Sequence, residues 1–190
     1  ILLINLSKGK IGAENSSLLG LILGPRLLMA ALSRQNVPME QRKDFYLYVD
    51  EFQNFATPDF AVILSEARKY RLSLTVANQF LGQIEEDVGN VGSLISFRVG
   101  VSDANFLQNE FQPTFTEGDL TNVDRFNVFI KTIVNNQPQP PFSMDLTKDI
   151  EQIESMRNPE LAKHIKELSR LKFGEDVDIV DEVLTKRAKL

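Results

Sequence analysis

Two adjacent carboxylates, Asp50 and Glu51, close a run of apolar and aromatic residues, Phe45-Tyr46-Leu47-Tyr48-Val49. A run of that length suits a buried central strand, and open α/β sheets bind ligands at the carboxyl ends of parallel strands. Paired acids at such an end can serve phosphate chemistry. The first orients Mg²⁺ through its water shell, and the second polarises the attacking water. The plainer alternative is an acidic strand-to-loop junction that stays solvated, and the run alone leaves both open. Gln79 ends a second strand-like run, Thr75-Val76-Ala77-Asn78-Gln79. If the two strands are neighbours, a neutral amide there can sense a γ-phosphate or hold the lytic water without adding charge. Otherwise Gln79 is an ordinary turn residue. Arg68 stands in Ser65-Glu66-Ala67-Arg68-Lys69-Tyr70-Arg71. As a cation in the last turn of a helix it is favoured by the macrodipole. As an arginine finger its planar fork would stabilise a transferring phosphoryl group in a neighbouring subunit's site, with Arg71 as the fallback.

The acids followed by Phe52 match the Walker B pattern of P-loop ATPases, but the phosphate-gripping half of such a site is missing. A P-loop needs Gly, four residues, then Gly-Lys-Ser/Thr. Ser7-Lys8-Gly9-Lys10-Ile11-Gly12 lacks the first glycine at the right offset and the hydroxyl after lysine, so it is not a Walker A loop.

The elements that must carry these residues follow a βα rhythm. An initial strand is expected over 1–6, then a glycine-containing loop and a long apolar helix over 14–35. A polar, proline-bearing loop spans 36–44 and leads into the Phe45 strand. Thr57 and Pro58 signal the start of a helix reaching about residue 70, with Phe60, Ile63, Leu64 and Ala67 on one face. Strands are expected at 72–77, 94–101 and 126–134, with a short helix over 103–111 capped by Asp103. A turn over 135–141 folds 142–144 back as an edge hairpin. Alternating strands and helices predict an α/β fold with a mostly parallel sheet covered on both faces. From about residue 145 the charge becomes dense and mixed. Asn158-Pro159 opens one helix, Gly174 ends it, and a second helix runs over 176–189. Residues 1–146 therefore read as a core and 147–190 as a charged helical extension. Because the chain begins at Ile1, within a strand-like run, it reads as a fragment, or as the later half of a domain.

Composition narrows the chemistry. The chain has no cysteine, which removes disulfides and thiolate metal sites, and its single histidine, His164, lies in a charged helical pattern. A histidine-based triad or zinc site is not expected. A net charge of −5 argues against a broad basic DNA-binding surface, though not against a local contact loop in a ring. The longest apolar stretch, 18–32, is interrupted by Gly20, Gly24, Pro25 and Arg26, so no membrane helix of ~20 residues is expected.

Taken in order, a strand ending Asp50-Glu51, a helix ending Ala67-Arg68-Lys69 and a strand ending Asn78-Gln79 resemble a known family. The chain is similar to the second half of the motor domain of type IV secretion coupling proteins (TraG/TraD type), in the HerA–FtsK superfamily. Ile4-Asn5-Leu6-Ser7-Lys8-Gly9, Glu14-Asn15-Ser16, Asp50-Glu51-Phe52-Gln53-Asn54-Phe55 and Phe97-Arg98-Val99-Gly100 carry the likeness, over residues 1–146. The resemblance implies a RecA-like, ring-forming, hexameric ATPase in which ATP and Mg²⁺ bind between subunits and DNA passes through the pore. It implies Asp50 at the magnesium position, Glu51 as catalytic base, Arg68 as trans arginine finger and Gln79 as sensor, with the Walker A loop upstream of Ile1. The stretch 85–91 is shorter than the family's helical connection. Secretion or relaxosome proteins are further expected partners, and the expected location is the cytoplasm, at the inner face of the membrane through upstream segments. Two other readings stay open: a non-catalytic partner-recognition module, and a HerA/FtsK-like ATPase of DNA processing.

Overall fold

A computed structural model describes residues 1–55, 67–82 and 91–188. The chain forms two compact units, residues 1–144 and 145–190. The fold is mixed α/β, combining a parallel strand pair with an antiparallel sheet.

Unit 1 begins with an irregular segment rather than the strand expected over 1–6. Its apolar pattern suits a ladder, but it has no ladder partner among the described residues, and Ile1, Leu2 and Leu3 are exposed. A short helix α1 (Lys8–Ile11) and a glycine in the left-handed region, Gly12 (φ 83°), lead into α2 (Ala13–Leu32). The Ser16 hydroxyl donates to the Leu6 carbonyl (2.6 Å) and ties the first segment to α2. Gly20, Gly24 and Pro25 do not interrupt this helix. Ser16, Gly20, Gly24 and Leu28 recur every four residues and form its buried stripe, so the two glycines are its packing face. A Cβ on Gly20 would lie 2.0 Å from the Phe55 ring, a close approach that only glycine permits. Contrary to the expectation above, the helical stretch Ala13–Asn36 is long and apolar enough to cross a membrane, a test that the core helix of a soluble protein also passes.

β1 (Phe45–Val49) pairs in parallel with β2 (Leu72–Val76), in the register Phe45↔Leu72 to Val49↔Val76. Leu28 and Ala31 of α2 close a core with Phe52 and Leu72, against which Leu47, Val49, Leu74 and Phe55 pack. The loop before β1 is fastened to the turn before β2. Arg34 donates to the carbonyls of Lys43 (2.9 Å) and Tyr70 (3.0 Å), and the Arg42 guanidinium lies over the Tyr70 ring. The helix expected to start at Thr57-Pro58 lies outside the described residues as far as residue 66; Ala67–Tyr70 is a 3₁₀ turn. The connection expected at 85–91 also lies outside them as far as residue 90.

The remaining strands are antiparallel, which corrects the mostly parallel sheet expected. β3 (Ser93–Ser96) pairs with β4 (Asn127–Val134) from Ser93↔Thr132 to Ser96↔Phe129. Between them run α3 (Val101–Phe111) and α4 (Glu117–Thr121). Gly100, not Asp103, is the α3 N-cap, and Asp103 lies in the first turn where its charge complements the helix dipole. Asn135 and Asn136, both at positive φ (52° and 61°), turn β4 into β5 (Gln137–Pro138), the backbone that a two-residue hairpin requires. β6 (Phe142–Asp145) also pairs with β4. Alternation alone does not distinguish parallel from antiparallel neighbours; tight turns do. Ala104, Leu107, Phe111 and Leu120 form the second core, joined by Leu94 and Phe129.

Unit 2 contains α5 (Thr147–Ser155), α6 (Pro159–Phe173) and α7 (Val177–Ala188). Asn158 caps α6 by accepting from the Leu161 N–H (3.0 Å), Pro159 occupies the first turn and Gly174 ends the helix. No residue of these three helices is buried.

Candidate functional site

The parallel pair continues past the last ladder residues. The Ala77 N–H donates to the Val49 carbonyl (2.9 Å), and the Phe52 N–H to the Ala77 carbonyl (3.0 Å). These bonds hold the chain after β1 against the chain after β2, so Asp50, Glu51, Asn78 and Gln79 share one edge of the pair. Buried Phe52 anchors this edge in the first core.

Glu51 adopts the left-handed conformation (φ 51°, ψ 44°), which costs a residue with a Cβ about 1 kcal/mol or more. Its N–H is held by the Asp50 carboxylate (3.0 Å), and its carbonyl accepts from the Asn54 amide (3.1 Å). The Glu51 carboxylate accepts two further amides. Gln79 Nε2 donates to Oε1 on the exposed side, and Gln53 Nε2 donates to Oε2 on a part-buried side. Gln53 is itself fixed by its N–H donating to the Asn78 side chain (3.0 Å). Lys8 Nζ donates to Asn54 Oδ1 (2.6 Å), bringing a cation from α1 to the same loop.

A cavity of about 840 Å³ opens beside this cluster, between the Ile4–Gly9 stretch, α2 and β1. Leu6, Leu23, Leu27 and Leu47 give it apolar walls, and Lys8, Asp50 and Glu51 supply its charge.

Asp50, Glu51 and Gln79 therefore come together, whereas Arg68 does not join them. Its exposed guanidinium is 3.5 Å from Asn136 Oδ1, in the turn between β4 and β5. Arg71 precedes β2 and its guanidinium pairs with Asp44 (3.1 Å). Both arginines stand at the amino-terminal end of the pair and Glu51 at the carboxyl-terminal end, some five residues away at ~3.3 Å per residue. One subunit cannot bring either arginine to its own Glu51 without dismantling this ladder.

Among the described residues no cluster of three or more His, Cys, Asp and Glu side chains could hold a metal ion alone. Two carboxylates do suit Mg²⁺ delivered with a nucleotide, because Mg²⁺ retains several waters and takes one or two protein carboxylates beside phosphate oxygens. Gln53, Asn54 and Lys8 complete the cluster without having stood out as site residues. Their only sequence signal is that they flank the acids and the Ser7-Lys8-Gly9 loop.

Comparison with known proteins found no matching family model and no matching curated protein.

Proposed function

We propose that residues 1–146 are the water- and metal-handling half of a RecA-like ATPase core, part of a DNA translocase or coupling ATPase of conjugation or type IV secretion. The observation that carries this reading is the meeting of Glu51 and Gln79 from the ends of adjacent parallel strands, with Asp50 alongside. Mg²⁺ would neutralise phosphate charge. Asp50 would hold its water shell, Glu51 would take a proton from the attacking water, and Gln79 would report the γ-phosphate by exchanging its bond to Glu51 for one to the nucleotide. The separation of Arg68 from Glu51 along the strand pair supports a role in trans, each arginine completing a neighbour's site in a homo-oligomeric ring, a hexamer by the family likeness. DNA would be the translocated partner.

Residues 1–190 contain no phosphate-gripping loop of the Gly, four residues, Gly-Lys-Ser/Thr pattern. Backbone N–H groups of that loop supply most phosphate contacts. Residues 1–190 alone should therefore show no magnesium-dependent ATP turnover, while the complete motor protein should show turnover stimulated by DNA. Clear turnover by residues 1–190, abolished by Glu51→Gln, would overturn this division of labour.

A further inference from the structure

We infer that Gln53 is a positioning residue that fixes the catalytic rotamer of Glu51; this inference rests on the hydrolytic reading of Glu51. The two amides on the Glu51 carboxylate are not equivalent. Gln79 reaches Oε1 from an exposed position at the end of β2, where water or a nucleotide can displace it. Gln53 reaches Oε2 from a part-buried position, its own backbone tethered to Asn78. One oxygen is thus held and the other is exchangeable, the division a general base needs if it is to face a single water in one orientation.

The arrangement carries a local cost. Glu51 occupies the left-handed region although it has a Cβ, and Gln53 Oε1 is buried with no hydrogen-bond partner among the described residues. A buried unpaired oxygen costs about 1–3 kcal/mol. The same pair of features recurs at Arg71 (φ 59°, Nε buried without a partner among the described residues), so at Glu51 it is the contact made, and not the cost, that carries the inference. The left-handed turn at Glu51 sends the chain into the Phe52–Asn54 turn, and this brings the Gln53 amide back onto Glu51.

The test is steady-state ATP hydrolysis by the complete motor protein carrying Gln53→Ala, Gln53→Glu, Glu51→Gln and the Gln53→Ala/Glu51→Gln pair. Gln53→Ala should lower kcat by ~10²-fold, the scale of a misplaced catalytic group, with KM for ATP within about twofold. Gln53→Glu keeps the size but replaces the donor with an acceptor, and should lose at least as much. In the Glu51→Gln background Gln53→Ala should cause no further loss, because it acts through Glu51. A wild-type kcat in both Gln53 variants, a loss carried by KM, or a full additional loss in the double variant overturns the inference while leaving the role of Glu51 standing. Wild-type turnover by Glu51→Gln alone removes the hydrolytic reading itself, and the role of Gln53 with it.

Discussion

In the antiparallel sheet, β4 pairs with β3, β5 and β6, and Ala104, Phe111 and Leu120 beside it have no exposed surface. Phe115 stacks on Phe129 at 3.9 Å, and Lys131 pairs with Glu110 at 2.6 Å, fastening β4 to α3. The parallel pair is built differently. β1 pairs with β2 alone among the described residues, Tyr46 and Tyr48 are 63% and 72% exposed, and the carboxyl end carries a left-handed glutamate and a Gln53 amide oxygen that is buried without a partner among the described residues. Fully buried apolar side chains are more numerous beside β4, whereas left-handed residues occur in both halves, Phe126 (φ 65°) before β4 as Glu51 (φ 51°) after β1. Sites that must hold reactive groups in one orientation draw on stability generated elsewhere.

The comparison can be broken most forcefully through Arg68, which links the two halves through Asn136. In the complete oligomer Arg68→Ala should lower ATP turnover by ~10³–10⁵-fold, as loss of a trans arginine does. Mixing Arg68→Ala with Glu51→Gln subunits should restore activity, since some interfaces then pair an intact base with an intact arginine. Mixed rings without rescue, or a nearly wild-type Arg68→Ala, would make Arg68 a surface cation of the turn.

Stability should divide in the same way. Phe111→Ala should cost about 3–5 kcal/mol in denaturant unfolding of residues 1–190, because a fully buried ring leaves a cavity. Tyr46→Ala on the exposed face of β1 should change stability by about 0.5 kcal/mol or less. A Tyr46 loss as large as that of Phe111 would mean that the face is covered in solution. A smaller effect is expected at the helix contact behind the carboxylates. Gly20→Ala should destabilise by about 1–3 kcal/mol by displacing Phe55, although alanine favours the helix by about 1 kcal/mol. A gain in stability would show that the Phe55 ring moves aside freely.

A further, pH-dependent effect is expected at the capping box of α4. The Thr116 side chain accepts from the Asp119 N–H, and the Asp119 carboxylate accepts from the Thr116 N–H and hydroxyl. The backbone bond first, then the hydroxyl, hold the Asp119 carboxyl below its ordinary value of 3.8. With a depressed folded value, the contribution is present above the ordinary value and is lost as pH falls through the folded one. Thr116→Ala should cost about 1 kcal/mol near neutral pH, and thermal melts should show the difference shrinking under acid. A difference constant down to strongly acidic pH would remove Asp119 from the account.

Local signals were legible in part: the cap of α6 was read, whereas the cap of α3 fell at Gly100 rather than Asp103, and α4 with its Thr116–Asp119 box was not read. Asn158-Pro159 marks the start of α6, and the asparagine pair at 135–136 marks a hairpin. Strand partnership was less legible, because a ladder depends on a neighbour distant in sequence. Residues 1–6 have a strand's pattern without a partner among the described residues, and of the strands expected over 94–101 and 126–134 the first ends at Ser96 and neither carries its direction in the pattern. Gly20 and Gly24 interrupt the apolar run over 18–32 in the sequence, and at Gly20 the approach of Phe55 accounts for the glycine. At the site, Asp50, Glu51 and Gln79 were visible because they end apolar runs. Gln53 was not, because its contact follows from the left-handed turn at Glu51, a conformation that no residue type there announces.

The central claim is that Glu51 is the base of a nucleotide-hydrolysing site. Its most direct test is ATP binding and single-turnover hydrolysis by the full-length protein with and without Glu51→Gln, which keeps the size and polarity of the side chain but cannot take a proton. Binding should persist while turnover of bound ATP falls by ~10²–10⁴-fold. Binding lost with an unchanged rate per bound nucleotide would contradict the assignment.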